Sequence, residues 1–416
     1  MRAVTFSVSI PGFLLARGLG RWTDSVVHGA LSGLRLREVP VPPLPGPDWV
    51  RLDVEACGVC GTDLGNITFS ASPAMEPFAS FPAVLGHEVV GVVSALGEEV
   101  QGVAVGDRVV VDPMLSCAAR GYPGGDWCPS CTAGLHSTCE RAGEEGPLQI
   151  DGRPLSRGMM IGYHRDLPGG WGESMVVHRS QCIPVDPALS DRAAVLLEPL
   201  AVALHAVLRG VSGGATGPVL VIGSGTIALS TVWALRATGF QGEITAQMKR
   251  PHEAELARAL GATTVVTPGD AAREAVVSTG ATAYMPLVGE EVYAGGGFPL
   301  VIDCVGNQGS LSQALRYAAP RGRVAMLGCS SEIPKLDLTF TWARELEIRG
   351  FLGYGMEEWK GERIHTMELA QRLVLESGAP VERMVTHTFP LAEYRKGLAA
   401  AGNHRASGAI KVLLEP

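Results

Sequence analysis

The chain has 416 residues, of which 46% are hydrophobic and 18% charged, and its formal net charge is −8. This length predicts two domains rather than one, and the composition is that of a globular chain without disordered tails. The negative charge argues against a nucleic-acid partner or an anionic membrane surface, because both require a basic patch. No apolar run approaches the roughly twenty residues that span a bilayer, and Ser7, Pro11 and Gly12 interrupt the first segment too often for a secretory signal. We therefore expect a cytoplasmic protein.

The first half of the chain has the texture of a β-rich domain. Short valine-rich segments, such as 89–93 and 105–111, are separated by glycine and proline, and few helical periods occur before residue 190. β-Branched runs bounded by turn residues are typical of strands. We therefore expect an antiparallel, barrel-like β domain over residues 1–199, which begins with a strand followed by a loop.

Cysteine, histidine and glutamate residues in this half include the ligand types of a catalytic zinc site. Such a site needs three protein ligands and an open position for water or substrate. Cys60 and His87 are ligand types that suit zinc, and Glu88 and Glu198 are the carboxylates that could complete the set. Cys57 competes with Cys60, and the residues alone give no strong reason to prefer either.

A second group of ligands consists of four cysteines with the spacing of a metal knuckle. The chain holds nine cysteines, an odd number with tight spacings. In a reducing compartment, close cysteine pairs bind metal more often than they form disulfides. Four thiolates leave no open position, so the site predicted here is a structural zinc. Its predicted ligands are Cys117, Cys128, Cys131 and Cys139. Two disulfides or unbound core thiols are the alternative.

Near residue 201 the pattern changes to buried strands that alternate with helices. The predicted strands are 219–222, 243–248, 300–304 and 324–327, and the predicted helices are 226–238, 253–260 and 311–318. This alternation predicts an α/β domain with a doubly wound parallel (Rossmann) sheet. We expect that domain over 200–355 and a return to the catalytic domain over 356–416, with a last strand at 409–414.

The turn after the first of these strands has the features of a dinucleotide site. Gly223 permits a tight turn, and Gly225 lets the backbone approach a pyrophosphate at the positive end of the following helix. The turn follows a strand, opens a helix and lies within a βαβ pattern, which makes the match specific. The predicted cofactor contacts are Gly223, Ser224, Gly225, Thr226 and Ile227.

Two basic residues bear on the choice between NAD and NADP. An NAD site has an acidic residue about 20 positions after the turn, where it holds the ribose 2′-hydroxyl. Here that region contains no acid and instead carries Lys249 and Arg250. Two cations favour a 2′-phosphate, so NADP is predicted over NAD. Solvated loop charges are the alternative.

With these motifs the chain resembles the medium-chain, zinc-containing alcohol dehydrogenases over nearly its whole length. Cys60-Gly-Thr-Asp and Gly-His87-Glu match the family's catalytic elements, and Glu198-Pro-Leu resembles its polyol and threonine dehydrogenase branch. The resemblance implies a GroES-like catalytic domain, Cys60 as the zinc ligand and Glu198 in the third ligand position. In that branch Glu88 can also bind, so the two glutamates remain alternatives. The four-cysteine group resembles the family's structural-zinc lobe, which implies two zinc ions per subunit.

The resemblance also implies a mechanism, which is hydride transfer between an alcohol and the nicotinamide. Zinc lowers the pKa of the substrate hydroxyl, and Thr62 accepts its proton and relays it through the cofactor ribose. Asp63 is expected to orient His87. Lys411 resembles the family's basic residue near the cofactor pyrophosphate. Secondary alcohols or polyols are the favoured substrates, and the family's habit of forming dimers and tetramers implies a homo-oligomer.

The sequence departs from the family pattern in three ways. Residues 118–127 separate the first two lobe cysteines, where the family has two residues. Gly65 stands where many relatives carry a histidine that passes the proton to solvent, so another group or water must do so. Extra segments occur near 12–33, 68–80, 143–160 and 282–297.

Two other functions remain open. The same fold could act mainly as an NADPH-dependent aldehyde or ketone reductase. Alternatively, the chain could bind zinc and nucleotide without turnover, as a sensor or scaffold. The presence together of Cys60, Thr62, His87 and Glu198 argues against the second of these.

Overall fold

The computed structural model describes residues 1–20, 26–29, 31–211 and 217–416. Within these residues the chain forms two compact units. The first unit comprises Met1–Glu198, Tyr354–Gln371 and Val385–Pro416, and the second unit comprises Pro199–Gly353 and Arg372–Met384.

The first unit is built mainly of strands. Its strands are β1 (Arg2–Phe6), β2 (Leu34–Glu38), β3 (Trp49–Gly58), β4 (Ala83–Val84), β5 (Glu88–Leu96), β6 (Arg108–Val111), β7 (Gly146–Ile150), β8 (Arg153–Leu155), β9 (Ser174–His178), β10 (Cys182–Pro184), β19 (Met356–Trp359), β20 (Glu362–His365), β21 (Val385–Pro390) and β22 (Lys411–Glu415). Its helices are α1 (Ile10–Leu19), α2 (Gly61–Ile67), α3 (Pro129–Thr132), α4 (Asp191–Val195), α12 (Tyr394–Gly402) and α13 (His404–Ser407). Short 3₁₀ turns are found at Pro73–Phe78, Gly124–Asp126, His136–Thr138, Arg179–Gln181 and Leu391–Glu393.

A seven-stranded sheet forms the centre of this unit. Its strand order is β10-β6-β5-β3-β22-β21, and β9 also pairs with β3. The neighbours of β3 run antiparallel to it, whereas β21 and β22 are parallel. Valine and leucine side chains pack around Trp49 and Trp171, both almost fully buried. Because β22 pairs with the end of β3, the last strand of the chain lies beside the turn that carries Cys60.

The segment after β1 is a helix, so the prediction of a loop there is wrong. The Ser9 hydroxyl accepts a hydrogen bond from the backbone N–H of Gly12 at 3.1 Å and caps α1. Pro11 lies in the first turn, where its missing N–H leaves no hydrogen bond unmade. Proline and glycine near a helix start were therefore mistaken for loop signals.

The second unit contains the α/β domain. Its strands are β11 (Val219–Ile222), β12 (Ile244–Gln247), β13 (Thr264–Val266), β14 (Ala281–Tyr284), β15 (Val292–Gly295), β16 (Phe298–Asp303), β17 (Ala318–Met326) and β18 (Glu347–Gly350). Its helices are α6 (Thr226–Ala237), α7 (Pro251–Ala259), α8 (Asp270–Ser278), α9 (Gln308–Tyr317) and α10 (Thr339–Ala343), with a 3₁₀ turn at Val381–Met384. The helices α5 (Leu197–Gly210) and α11 (Thr366–Ser377) each continue from one unit into the other along the chain.

Six parallel strands form the sheet of the second unit, in the order β13-β12-β11-β16-β17-β18. The order reverses between β11 and β16, which is the crevice where doubly wound sheets bind ligands. The strands and helices predicted from the sequence lie within a few residues of the observed ones. The extra segment near 282–297 contributes most of the antiparallel hairpin β14–β15.

The C-terminal segment is divided between the two units, whereas the sequence predicts that it belongs to one. Residues 356–416 were expected to return to the first domain as one piece, but Arg372–Met384 belongs to the second unit. Contacts within that unit explain the difference, because Arg383 pairs with Glu255 at 2.6 Å and Trp233 contacts Ser377 at 3.5 Å. Among the described helices, none has the length and apolar character needed to cross a membrane.

Candidate functional site

The turn between β3 and α2 fixes the position of Cys60. This half-buried cysteine is the N-cap of α2, and its backbone N–H donates to Asp63 Oδ2 at 2.9 Å. Asp63 is the third residue of the helix and is fully buried. A carboxylate at that position satisfies an N–H that the helix cannot pair internally. Cys57, its competitor in the sequence, is instead part of the hydrophobic core.

His87 and Glu88 are placed next to Cys60 by a turn that only glycine can make. Gly86 has φ +91°, and a Cβ there would approach Trp171 Cδ1 to 2.4 Å. Both His87 and Glu88 are buried at the start of β5. The ligand atoms of Cys60, His87 and Glu88 all lie within 4.8 Å of one another. We call these three residues the Cys60 centre.

The donors of the Cys60 centre fit a zinc ion. A thiol, an imidazole and a carboxylate are the groups that zinc prefers in proteins. His87 Nδ1 lies 3.5 Å from Asp63 Oδ1 and has no hydrogen-bond partner among the described residues. Burial lowers the pKa of His87, but the charges and hydrogen bonds of Asp63 and Cys60 together outweigh it and raise that pKa well above its usual value. Asp63 therefore stabilises positive charge on this imidazole.

Lys411 lies against Glu88, which was not expected. Its Nζ is 2.6 Å from both carboxylate oxygens of Glu88 and also donates to the Val59 carbonyl at 3.3 Å. Burial lowers the pKa of Lys411, yet the combined attraction of Glu88, Cys60 and Glu198 outweighs it and the pKa is raised. The prediction of Lys411 as a contact of the cofactor pyrophosphate therefore does not fit the structure, because its ammonium is buried and bound to Glu88.

Glu198 is the other candidate carboxylate and lies in the first turn of α5. It is 6% exposed, and burial raises its pKa to about 7, with the charge of Glu88 acting in the same direction and that of His87 opposing it. A buried carboxylate with this raised pKa lacks sufficient positive charge around it. A metal cation at the Cys60 centre would supply that charge.

Thr62 and Asp63 share a partner that the sequence did not reveal. The Tyr163 hydroxyl lies 2.8 Å from Thr62 Oγ1 and 2.9 Å from Asp63 Oδ1. Burial raises the pKa of Tyr163 well above its usual value, and the charge of Asp63 adds to this effect. The phenol is therefore protonated and can donate to the carboxylate while it accepts from the threonine. No local motif marks Tyr163, since it is about a hundred residues from its partners.

The cysteine lobe, defined as Cys117, Cys128, Cys131 and Cys139, has its four ligand sulfurs within 4.8 Å of one another. Cys117 and Cys139 Sγ are 3.8 Å apart, much longer than the roughly 2.05 Å of a disulfide and close to the edge of a zinc–thiolate tetrahedron. The four cysteines are thiols, so the alternative of two disulfides is wrong.

Backbone groups in the lobe point at its sulfurs. The N–H groups of Cys128 and Cys117 donate to Cys117 Sγ and Cys131 Sγ, both at 3.3 Å. The inserted residues 118–127 fold back on themselves, since Tyr122 N–H donates to the Cys117 carbonyl at 3.0 Å. This compact loop lets Cys117 reach the other three cysteines.

The glycine turn of the second unit has the backbone that a dinucleotide needs. Gly223 and Gly225 have φ +145° and +134°, and nothing lies within 4 Å of the position of a Cβ on Gly225. Thr226 begins α6, with Ile227 after it. Ser224 is already engaged, because its hydroxyl donates to Glu253 and accepts from the Lys249 N–H at 2.8 Å.

The two basic residues after β12 differ in their surroundings. Lys249 is exposed, whereas Arg250 is half-buried. The Arg250 guanidinium pairs with Glu253, and the backbone N–H of Arg250 donates to the same carboxylate at 3.1 Å. Glu253 is fully buried in the first turn of α7. In the chain it follows Arg250 by three residues.

Comparison with known proteins identifies the class. Residues 46–187 match the alcohol dehydrogenase GroES-like domain, and residues 226–368 match the zinc-binding dehydrogenase domain. The L-threonine 3-dehydrogenase of Caldanaerobacter subterraneus subsp. tengcongensis is 30% identical over 85% of this chain and 88% of its own length. The L-idonate 5-dehydrogenase of Vitis vinifera is 26% identical over 92% of each chain.

Comparison with solved structures gives the same class of protein. A putative zinc-binding dehydrogenase from Sinorhizobium meliloti bound to NADP is 28% identical over 92% of this chain and 96% of its own, with a TM-score of 0.67. Galactitol-1-phosphate dehydrogenase from Escherichia coli covers 100% of both chains with a TM-score of 0.70, but at 22% identity it supports the fold alone. The chain is thus a zinc-type dehydrogenase by fold. It belongs to the medium-chain, zinc-containing alcohol dehydrogenase family, so the resemblance and the fold class predicted from the sequence are confirmed.

Proposed function

We propose that this protein is a zinc-dependent oxidoreductase that transfers a hydride between an alcohol and NADP. The observation that carries the proposal is the convergence of the ligand atoms of Cys60, His87 and Glu88 within 4.8 Å of one another. Tyr163, whose ring centroid lies 5.5 Å from that of His87, contacts the Thr62 hydroxyl at 2.8 Å. The nine cysteines, with thiols in both metal-ligand clusters, suit the reducing conditions of the cytoplasm.

Cys60 and His87 hold the zinc. Glu198, which is not one of the three residues of the Cys60 centre, completes the site in preference to Glu88. Lys411 contacts both carboxylate oxygens of Glu88, so binding a metal through Glu88 would require that buried ion pair to break. Breaking such a pair costs several kcal/mol. When bound, zinc supplies a Lewis acid that lowers the pKa of an alcohol hydroxyl.

Thr62 accepts the proton of the substrate hydroxyl. Tyr163 fixes the Thr62 side chain through the 2.8 Å contact and is itself held by Asp63 at 2.9 Å. Gly65 offers no side chain that could carry the proton onward. The buried Thr62–Tyr163–Asp63 chain therefore orients the accepting hydroxyl, a task for which geometry within a fraction of an ångström matters.

Residues of the second unit bind the cofactor, which supplies the hydride acceptor. The turn at Gly223–Gly225 and the start of α6 hold the pyrophosphate. Lys249 and Arg250 hold the 2′-phosphate, for which Arg250 must exchange its contact with Glu253. The relative from Sinorhizobium meliloti, whose structure contains NADP, supports this choice.

Secondary alcohols and polyols are the proposed substrates. The relatives are named for action at carbon 3 of threonine and carbon 5 of idonate, which are interior positions. An interior hydroxyl is a secondary alcohol, and its oxidation gives a ketone. The opposite direction, NADPH-dependent ketone reduction, uses the same groups.

The test is the formation of reduced nicotinamide by zinc-verified protein with primary, secondary, polyol and aromatic alcohols, with NADP and NAD in parallel. We expect turnover with secondary alcohols or polyols, and a lower KM for NADP than for NAD. The Lys249→Ala and Arg250→Ala variants should lose that preference, while Arg258→Ala, an exposed arginine farther along α7, should retain it. Preference for NAD would overturn the choice of cofactor, and no turnover in either direction would overturn the proposed reaction.

A further inference from the structure

Three potential ligands meet in the first unit away from the Cys60 centre. Asp112 follows β6, His136 begins the 3₁₀ turn just before Cys139, and His365 ends β20. One ligand atom from each residue lies within 4.8 Å of the other two. We call these residues the Asp112 cluster. They are far apart in the sequence, and nothing in the proposed reaction uses them.

Hydrogen bonds orient two of these side chains toward a common point. His365 Nε2 lies 3.2 Å from Asp112 Oδ2, while its Nδ1 accepts from the Met367 N–H at 3.3 Å, a contact that must be given up when a metal binds at Nε2 and the ring proton moves to Nδ1. The other oxygen, Asp112 Oδ1, accepts from the Met114 N–H at 2.9 Å. The 3.2 Å separation is what two ligands about 2.0–2.1 Å from one zinc ion would show. The hydrogen bond to the second oxygen of Asp112 is typical of carboxylates that bind metals.

The Asp112 carboxylate pairs with a histidine, and the fixed positive charge of Arg363 acts on His136 in the same cluster. Asp112 is 3% exposed, and within the described residues its ion-pair partner is His365, which carries charge only when protonated. A buried charge of this kind is costly without a compensating cation.

His136 presents a neutral imidazole. Burial lowers its pKa, and His365 and Arg363 act in the same direction, whereas Asp112 opposes them. A neutral imidazole has a lone pair available to a metal. His136 and His365 are also stacked, with ring centroids 6.5 Å apart.

We propose that Asp112, His136 and His365 bind a zinc ion, separate from the Cys60 centre and from the cysteine lobe. Two imidazoles and a carboxylate suit zinc, and three protein ligands leave one position for water. The ion would link two parts of the first unit. One is the 3₁₀ turn beside the cysteine lobe, which carries His136, and the other is the hairpin β19–β20, which carries His365. That junction is already fastened beside the site, because Tyr354 N–H donates to Ser137 Oγ at 2.7 Å and Met356 N–H donates to the Gly134 carbonyl at 2.8 Å.

The zinc content of desalted, zinc-loaded protein tests the proposal. His365→Gln preserves a side-chain N–H that can donate to Asp112 but removes the imidazole ligand. We expect it to bind one zinc ion fewer per chain than the unchanged protein. The matched control is His387→Gln, at a half-buried histidine of β21, which should retain the full content. Equal zinc content in His365→Gln and the unchanged protein would overturn the site.

The same difference should appear in the Cys60→Ser background, where the Cys60 centre is already disabled. A loss of one further ion there supports the Asp112 cluster even if the proposed reaction fails. Asp112→Asn provides a second variant if His365→Gln does not fold. Anomalous scattering at the zinc edge from crystals of the unchanged protein should show a peak between the three side chains, and its absence would also overturn the site.

Discussion

The cysteine lobe and the Cys60 centre differ in how the chain assembles them. All ligands of the lobe come from one short stretch, Cys117 to Cys139, and its sulfurs accept N–H groups from that same stretch. The Cys60 centre takes His87 and Glu88 from a second segment, and its neighbours Tyr163 and Lys411 come from two more. The lobe is therefore a local structure with a full set of ligands, while the centre depends on the whole first unit.

This difference matches a division of roles. Four buried thiols leave no vacant position, which is typical of a zinc that stabilises a fold. The Cys60 centre has a half-buried thiol, and its neighbours include the Thr62 hydroxyl, the Glu198 carboxylate and the buried Lys411. This region therefore offers groups that can move a proton as well as hold a metal. Changes at the two places should affect different measured quantities.

The largest expected effect is that of Cys60→Ser. Turnover should fall by roughly 10³-fold or more, the upper end of the cost of losing a group that stabilises charge in the transition state. The Tm should change little and NADP binding should persist, because the glycine turn belongs to the second unit. Steady-state kinetics, calorimetry and cofactor titration measure the three quantities. Full activity in this variant would refute the assignment of Cys60.

Cys131→Ser should show the opposite pattern. Loss of the lobe zinc removes folding free energy, and a loss of about 3 kcal/mol lowers the Tm of a unit of this size by roughly 6–12 °C. The kcat per folded molecule should stay within about threefold, since no lobe residue contacts the groups of the Cys60 centre in the contacts described above. The exposed Cys329 supplies the matched control, Cys329→Ser, with an unchanged Tm. A large loss of kcat with an unchanged Tm would reverse the two roles.

Substitutions of Glu88 and Glu198 should show which of them binds zinc and which forms an ion pair with Lys411. Glu88→Gln leaves the Lys411 ammonium buried without its carboxylate, so the free energy of unfolding should fall by about 3–5 kcal/mol while zinc is retained. Glu198→Gln should release the zinc of the Cys60 centre at a smaller cost in stability. Denaturant unfolding and zinc content distinguish the variants. If Glu88→Gln releases zinc and Glu198→Gln does not, Glu88 is the ligand.

Tyr163→Phe should give the smallest effect, about a tenfold lower kcat with a KM within about twofold. The Thr62 hydroxyl would lose its 2.8 Å partner, and a tenfold change corresponds to about 1.4 kcal/mol of transition-state stabilisation. Tyr122→Phe, at the lobe, is the matched control and should retain kcat. Equal kcat values for the two variants would show that Tyr163 does not position the Thr62 hydroxyl.

The sequence predicted local features better than distant ones. The glycine turn, the alternating strands and helices, and the spacing of Cys128 and Cys131 depend on neighbours in the chain, so their patterns could be read directly. The Glu88–Lys411 pair joins residues 323 positions apart, and the contact of Tyr163 with Asp63 joins residues 100 positions apart. No local period records such contacts. The helix α1 shows a different error. Ser9 and Pro11 mark the start of this helix, whereas the sequence predicts a loop there.

Cobalt substitution at both predicted zinc centres tests the central claim most directly. Cobalt in the open Cys60 centre should change its visible spectrum when a substrate alcohol is added, whereas cobalt in the closed cysteine lobe should not respond. In the His365→Gln background, where the Asp112 cluster binds no metal, we therefore predict that the spectral response to alcohol is lost in Cys60→Ser and retained in Cys131→Ser. A response that survives in Cys60→Ser, or disappears only in Cys131→Ser, would contradict the account.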